Sequence, residues 1–158
     1  MNSEKMDTPV HILLRIKSED GQTIRAHNNI IKSSGSAILG KIGQELGSAF
    51  INTLNEQISR GIDTFLFLIT REGWNGPYVT YQCRLRSVER QLAEEKFALV
   101  PTYYSSDYKN VKTWFEITTM QKMSNAEMNR IYVLSSGRSI MSVIKSSATV
   151  FRVGIGQS

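Results

Sequence analysis

The stretch from Asp63 to Arg90, DTFLFLITREGWNGPYVTYQCRLRSVER, limits the fold more than any other part of the chain. It opens on an unbroken run of large apolar residues, Phe65 to Ile69. A strand without polar alternation is buried on both faces and belongs in the middle of a sheet. The second half alternates. Val79, Tyr81, Cys83 and Leu85 fall on one side of a strand, and Thr80, Gln82, Arg84 and Arg86 on the other. Trp74-Asn75-Gly76-Pro77 joins the two with residues that favour tight turns. The segment is a hairpin with a buried centre and one cationic face, and the rest of the chain is arranged around it.

Residues 1–9 read as a loose polar leader, and 10–158 as a single domain. His11 to Lys17 is a strand, Glu19 to Gln22 a turn, and Thr23 to Ala26 a short stretch that pairs back. Ser33 to Gly43 is a Ser/Gly-rich loop. Gln44 to Arg60 is a helix, because Leu46, Phe50, Leu54 and Ile58 recur every four residues, with Gly61 as its stop. After the hairpin, Glu89 to Phe97 holds a helical turn that Pro101 ends. Thr102 to Asn110 is a loop rich in tyrosine and serine. Lys112 to Thr119 is a strand with Phe115 and Ile117 on one face and Trp114, Glu116 and Thr118 on the other. Ser124 and Glu127 form a capping box that opens a helix closing near Ser135-Ser136-Gly137. A short helix over Arg138–Lys145 and a strand over Thr149–Ile155 finish the chain. Regular βαβ alternation is absent. The expected fold is therefore α+β, a curled, mixed or mainly antiparallel, barrel-like sheet flanked by helices.

Several function classes are set aside by what the chain lacks. Cys83 is the one cysteine, so no internal disulfide forms, and a reducing, cytoplasmic setting is expected. It falls on the apolar face of its strand, as a small buried hydrophobe does. With only His11 and His27 beside it, neither a metal site nor a thiol–imidazole pair is expected. No apolar run approaches the ~18 residues that span a bilayer, and the N-terminus does not look like a signal peptide. Gly35 to Lys41 matches the first seven positions of a phosphate-binding loop. Its eighth position is Ile42 rather than a hydroxyl, its interior is apolar, and the strand ending Ile69-Thr70-Arg71 has no acidic residue at the place a magnesium-positioning Asp would take, so nucleotide hydrolysis is not expected. No paired carboxylates stand out, and Ser135-Ser136-Gly137 lacks the context of a nucleophile elbow. The chain reads as a binding protein without cofactor.

What it binds is suggested by rings and charges together. Trp74, Tyr103, Tyr104 and Tyr108 fall in polar loops, and Trp114 on the strand face away from its apolar neighbours. Such rings either cover the ends of the core or stack on something else, and bases are the common partner. Arg84 and Arg86 share one strand face with Arg90 just after, Lys109 and Lys112 flank the tyrosine loop, Arg138 opens a helix, and the net charge is +5, which suits a polyanion. Glu116 is placed to accept a hydrogen bond from a base's amino group, or to pair with a cross-strand cation. Ser33, Ser34 and Ser36, near Lys41, line a polar pocket or hold one phosphate. A protein-interaction surface built on the tyrosine loop and Trp74 is the alternative.

This order of pieces resembles the PUA-like superfamily, and within it the EVE and YTH type of base reader. The likeness is carried by the early strand followed by Gly40-Lys41-Ile42-Gly43 leading into a helix, and by the DTFLFL strand with its partner YVTYQCRLRSV. The Pro101-Thr102-Tyr103-Tyr104 loop, the strand opening Lys112-Thr113-Trp114-Phe115, and the last helix with TVFRV extend it over residues 11–155. The resemblance implies an aromatic-lined pocket that takes a modified or flipped base, and DNA is the expected carrier, with modified RNA as the alternative. Some such domains are the recognition part of modification-dependent restriction and defence systems, with a nuclease or ATPase partner chain, and others read modified RNA. By position it implies Ser34 and Ser36 in the glycine loop, Trp74, Tyr104 and Trp114 as pocket walls, and Arg84 and Arg86 on the nucleic-acid backbone. Glu116 belongs with the pocket on its own chemistry, and Lys41, Lys109, Lys112 and Arg138 with the backbone on theirs. The chain departs from the pattern where YTH-type readers carry an early tryptophan, since Ile38 and Leu39 stand there.

Overall fold

The computed structural model describes residues 8–17, 21–73, 75–102, 108–146 and 148–156. Its strands are β1 (His11–Arg15), β2 (Ala37–Ile42), β3 (Phe65–Arg71), β4 (Tyr78–Glu89), β5 (Val111–Ile117), β6 (Gln121–Lys122), β7 (Ile131–Val133) and β8 (Val150–Ile155). The helices are α1 (Gln22–Ser34), α2 (Ser48–Ser59), α3 (Asn125–Met128) and α4 (Ile140–Val143), with 3₁₀ turns at Glu94–Leu99 and Tyr108–Asn110.

The apolar run makes β3 central. The strands follow the order β2-β5-β4-β3-β1-β8-β7, with β6 pairing β4 off that path. Among the described residues β1 and β3 run parallel and the other pairs antiparallel. The sheet is mixed and does not close; β2 and β7 are its ends. The fold is α+β, with helices against the sheet.

Both faces of β3 are covered, as its composition requires. Leu66 and Leu68 join Ile12, Leu14, Cys83, Leu85, Phe115 and Ile117 in the main core, closed by Ile24 of α1 and Phe50, Ile51 and Leu54 of α2. Phe67 and Ile69 face the other way, against Met128, Ile131, Ile140 and Phe151. A third, smaller cluster covers the outer side of β2 and β5 with Ile38, Val111, Trp114 and Val100.

α2 is held to the sheet by two amide side chains that imitate a neighbouring strand. Asn55 accepts the Val88 N–H at 2.9 Å and donates to the Val88 carbonyl at 2.8 Å. Gln57 does the same for Val10, at 2.9 and 2.8 Å.

Four local expectations change. Residues 22–34 form α1, where a back-pairing strand and a loop are expected. Its buried side is Ile24 and His27, with Ile30 and Ile31 partly buried, so an imidazole occupies one turn of the apolar stripe. Gly35, at φ 90°, ends it by returning its N–H to the Ile31 carbonyl. The phosphate-loop look-alike that follows is strand β2, with Ala37 to Gly40 buried. α2 starts at Ser48 rather than Gln44, because Gly47 is extended and Leu46 packs into the core outside the helix. α3 opens on the expected Ser124–Glu127 capping box but stops at Met128, because Ile131–Val133 pairs with β8.

Candidate functional site

The outer face of β2, β5 and β4 gathers the largest share of the residues singled out in the sequence. Glu116 of β5 is 5% exposed, yet it is a carboxylate. Four side chains from three segments converge on it. Oε2 accepts the Ser36 hydroxyl at 2.9 Å and an Arg86 N–H at 3.4 Å. Oε1 faces the Lys96 ammonium at 3.2 Å and the Ser87 hydroxyl at 3.5 Å. Lys96 also reaches Glu89 at 3.3 Å. Burial would push the Glu116 carboxyl up, but the Ser36 hydroxyl and the Lys96 and Arg86 charges outweigh it and hold it below the usual carboxylate range. Burial likewise opposes the Lys96 charge, and Glu116 and Glu89 raise it above its ordinary value.

A β-bulge creates this arrangement. Leu85 pairs with Ile117 and Ser87 with Glu116, so Arg86 is an extra residue on β4. Before the bulge Cys83 and Leu85 face the main core; after it Val88 does. The one-residue slip turns Ser87 and Glu89 toward Glu116 and re-aims Arg86. Arg84 stays outside the cluster, paired with Asp63. The two arginines therefore engage separate carboxylates, although each remains more than half exposed.

Beside the ionic cluster lies an aromatic one. Trp114 is on the Glu116 side of β5, as its position in the alternation predicts, but that side is not open. The ring is 4% exposed, enclosed by Ile38, Val100 and Val111. Phe97 and Tyr108 cover it edge-on, with centroids at 6.3 and 6.0 Å. Beneath it Gly40 lets the ring lie close, because a Cβ there would sit 3.0 Å from both Trp114 and Val111 and push them outward. The rings nearer solvent are Phe97, 37% exposed, and Tyr108, half-buried; their centroids are 5.3 Å apart and their planes 32° from parallel. In the sequence Phe97 figures only as the end of a helical turn, not as a candidate for the site. The signal that points to it is a lone aromatic inside the charged run Glu94-Glu95-Lys96-Phe97.

The remaining candidates spread out. Lys109 and Lys112 are exposed at the Tyr108 end of β5. Ser34 is exposed at the end of α1, and its hydroxyl is 3.4 Å from that of Ser33. Lys41 donates to the Gln44 carbonyl at 2.6 Å, and burial lowers its pKa. Arg138 follows β7, at the opposite end of the strand order from β2, and reaches the Ser142 carbonyl at 3.5 Å. Trp74 and Tyr104 lie outside the described residues. Among the described residues no helix is long and apolar enough to cross a membrane.

A family model described as Pua-like matches residues 12–147. No curated protein and no solved structure matches the chain.

Proposed function

The chain belongs to the Pua-like family, and from that premise we propose that it is a nucleic-acid-binding domain that reads a modified or flipped base, in DNA before RNA, by binding rather than catalysis. The observation that carries this reading is the juxtaposition on one sheet face of a two-ring platform, Phe97 and Tyr108 backed by Trp114, with the Ser36–Glu116–Arg86–Lys96 network. A base has a flat apolar face and a polar edge, and this face offers both kinds of partner side by side.

Each group has a role in the proposal. Phe97 and Tyr108 stack the base, and Trp114 fixes their position from below. Tyr104 and Trp74 are the candidates for closing walls. Glu116 anchors Lys96 and Arg86, so the outward part of the Arg86 guanidinium is presented in a fixed place. A carboxylate has about four lone-pair directions, and here all four are engaged. The longest contact, to the Ser87 hydroxyl at 3.5 Å, is the one a base's amino group would replace, which leaves the Arg86 anchor in place. Lys109 and Lys112, at the far end of β5, take phosphates. A role as the recognition part of a restriction or defence assembly, with a nuclease or ATPase partner, follows from the resemblance and belongs to the proposal.

The test is binding of labelled oligonucleotides, unmodified and modified, as DNA and as RNA of the same sequence. Phe97→Ala is expected to weaken binding by about 1–3 kcal/mol, the usual contribution of one stacked ring. Phe97 is partly exposed, so the fold should survive and circular dichroism should match the parent. Undiminished affinity in a folded Phe97→Ala protein would remove the platform. Preference for a protein partner after nuclease treatment would favour the interaction-module alternative.

A further inference from the structure

The failure of the sheet to close leaves a gap between β2 on one side and β1 and β8 on the other. Two depressions lie along it, and a third adjoins them over α2. One of about 540 Å³ runs between the Lys41–Gly47 turn and the start of β8. A second, of about 580 Å³, shares Lys41, Ile42 and Thr149 with the first and reaches Lys17 after β1. A third, of about 730 Å³, shares Phe50, Val150 and Arg152 with the first and continues over α2 toward Leu134. Shared walls make them one groove.

Its chemistry is apolar below and cationic along the sides. Phe50 and Val150 contribute to the floor, and Arg152 lies over the Phe50 ring at 4.4 Å. Ile42, 50% exposed, stands at the junction of the first two depressions. Among the described residues no carboxylate pairs with Lys41, Arg152 or Lys17. Glu45, the acid in the lining, is taken up by Arg90 at 3.9 Å. Arg15 also reaches the groove, with one guanidinium nitrogen spent on the carbonyls of Ile144 and Ser146, both at 2.6 Å, whereas Lys41 gives one of its three N–H groups to the Gln44 carbonyl at 2.6 Å and keeps two for a ligand. Lys17 is followed in the sequence by Glu19 and Asp20, so Lys41 and Arg152 are the cations that count.

We propose that the strand flanking the base crosses β2 at its open end, Lys41–Ile42, and lies in this groove, with phosphates on Lys41 and Arg152 and sugars against the exposed Ile42. The proposal rests on the base-reader reading above. β2 is the shared element, since Ile38 backs the platform on its outer side while Lys41 lines the groove. A small anion would want donors converging on one point. Cations distributed along an apolar, open-ended trough fit a chain of regularly repeated phosphates.

The experiment is the salt dependence of single-stranded DNA binding for the parent protein, for Lys41→Gln/Arg152→Gln and for Arg152→Lys. Each phosphate contact contributes about 0.7 to the slope of log affinity against log salt for single strands. The double variant is expected to bind several-fold more weakly with a slope shallower by about 1.4. Arg152→Lys keeps the charge and should keep the slope. A folded double variant with the parental slope overturns the groove and leaves the platform standing. A parent protein that binds no nucleic acid overturns both. A slope lost equally in Arg152→Lys would mean that packing on Phe50, not phosphate contact, is what was removed, and would overturn the groove as well.

Discussion

The Nδ1 of His11 accepts the Phe65 N–H at 3.0 Å, so the imidazole is neutral with its proton on Nε2. The ring is 4% exposed and packs against Phe65 and Phe67, with centroids at 5.3 and 6.1 Å. Burial lowers its pKa from 6.5 to about 4, and the nearby Asp63 carboxylate opposes this without reversing it. The unfolded chain therefore binds the proton first. Stability from this group is complete above about pH 6.5, declines as pH falls toward 4, and levels off below. The full loss amounts to about 3 kcal/mol. His27 is lowered by burial as well and adds to the same trend. Glu116 acts in a separate window. Its carboxyl is held below the usual range, so its contribution is lost only under stronger acid. Urea unfolding at pH 7.5 and pH 5 should show the parent losing stability on acidification. His11→Asn, which keeps an acceptor near Nδ1 but does not titrate, should lose distinctly less. An equal loss in both proteins would place the acid sensitivity elsewhere.

At the scale of elements, α2 shows how a helix can stand in for a strand. The Asn55 and Gln57 amides each satisfy one N–H and one carbonyl of partly buried backbone, at Val88 and Val10. Removing either amide strands both groups. Asn55→Ala and Gln57→Ala are each expected to cost about 2 kcal/mol in chemical denaturation, well beyond the helix-propensity gain of alanine. A cost near zero would mean that water replaces the amide freely. Neither pairing was legible in the sequence, because amides on a helix look like solvent-facing residues until the neighbouring backbone is in place. The same limit explains α1 and β2. His27 fills an apolar position, Gly21 supplies no side-chain cap, and Gly40 interrupts β2 for a reason that appears only when Trp114 lies on it. The hairpin of β3 and β4, β5, β8 and the capping box were legible, because run length, period two and cap spacing are local signals. Of the site, Glu116 was singled out from its chemistry, Ser36 and Arg86 by position in the resemblance, and the three do meet, with Arg86 as the cross-strand cation that was the alternative partner for Glu116. The burial of Trp114 was one of the two alternatives the rings left open, and the segment that decides it, around Glu94 to Val100, reads in the sequence only as charged and helical.

For the whole molecule, the open sheet is what would let the two proposed binding surfaces share one strand. Closure would have paired the free edge of β2 and filled the groove beside it. β2 is six residues long, roughly 20 Å at strand spacing, so a ligand reaching from the Phe97–Tyr108 platform into the groove must be several nucleotides long. The net charge of +5 is also unevenly available: Arg84, Arg86, Arg90 and Lys96 face the protein's own carboxylates, while Lys41, Lys109, Lys112 and Arg152 form no ion pair among the described residues. A mononucleotide should use the platform alone, with weak affinity and a shallow salt dependence. Lengthening the strand should raise affinity and steepen the salt slope together, until both surfaces are spanned and both quantities level off. Lys41→Gln/Arg152→Gln should abolish most of the length-dependent gain and leave mononucleotide binding unchanged. Phe97→Ala should do the reverse, weakening the mononucleotide and preserving the increment from length. A salt slope that stays constant from mononucleotide to long strand would show that only one surface is used, however well the platform binds.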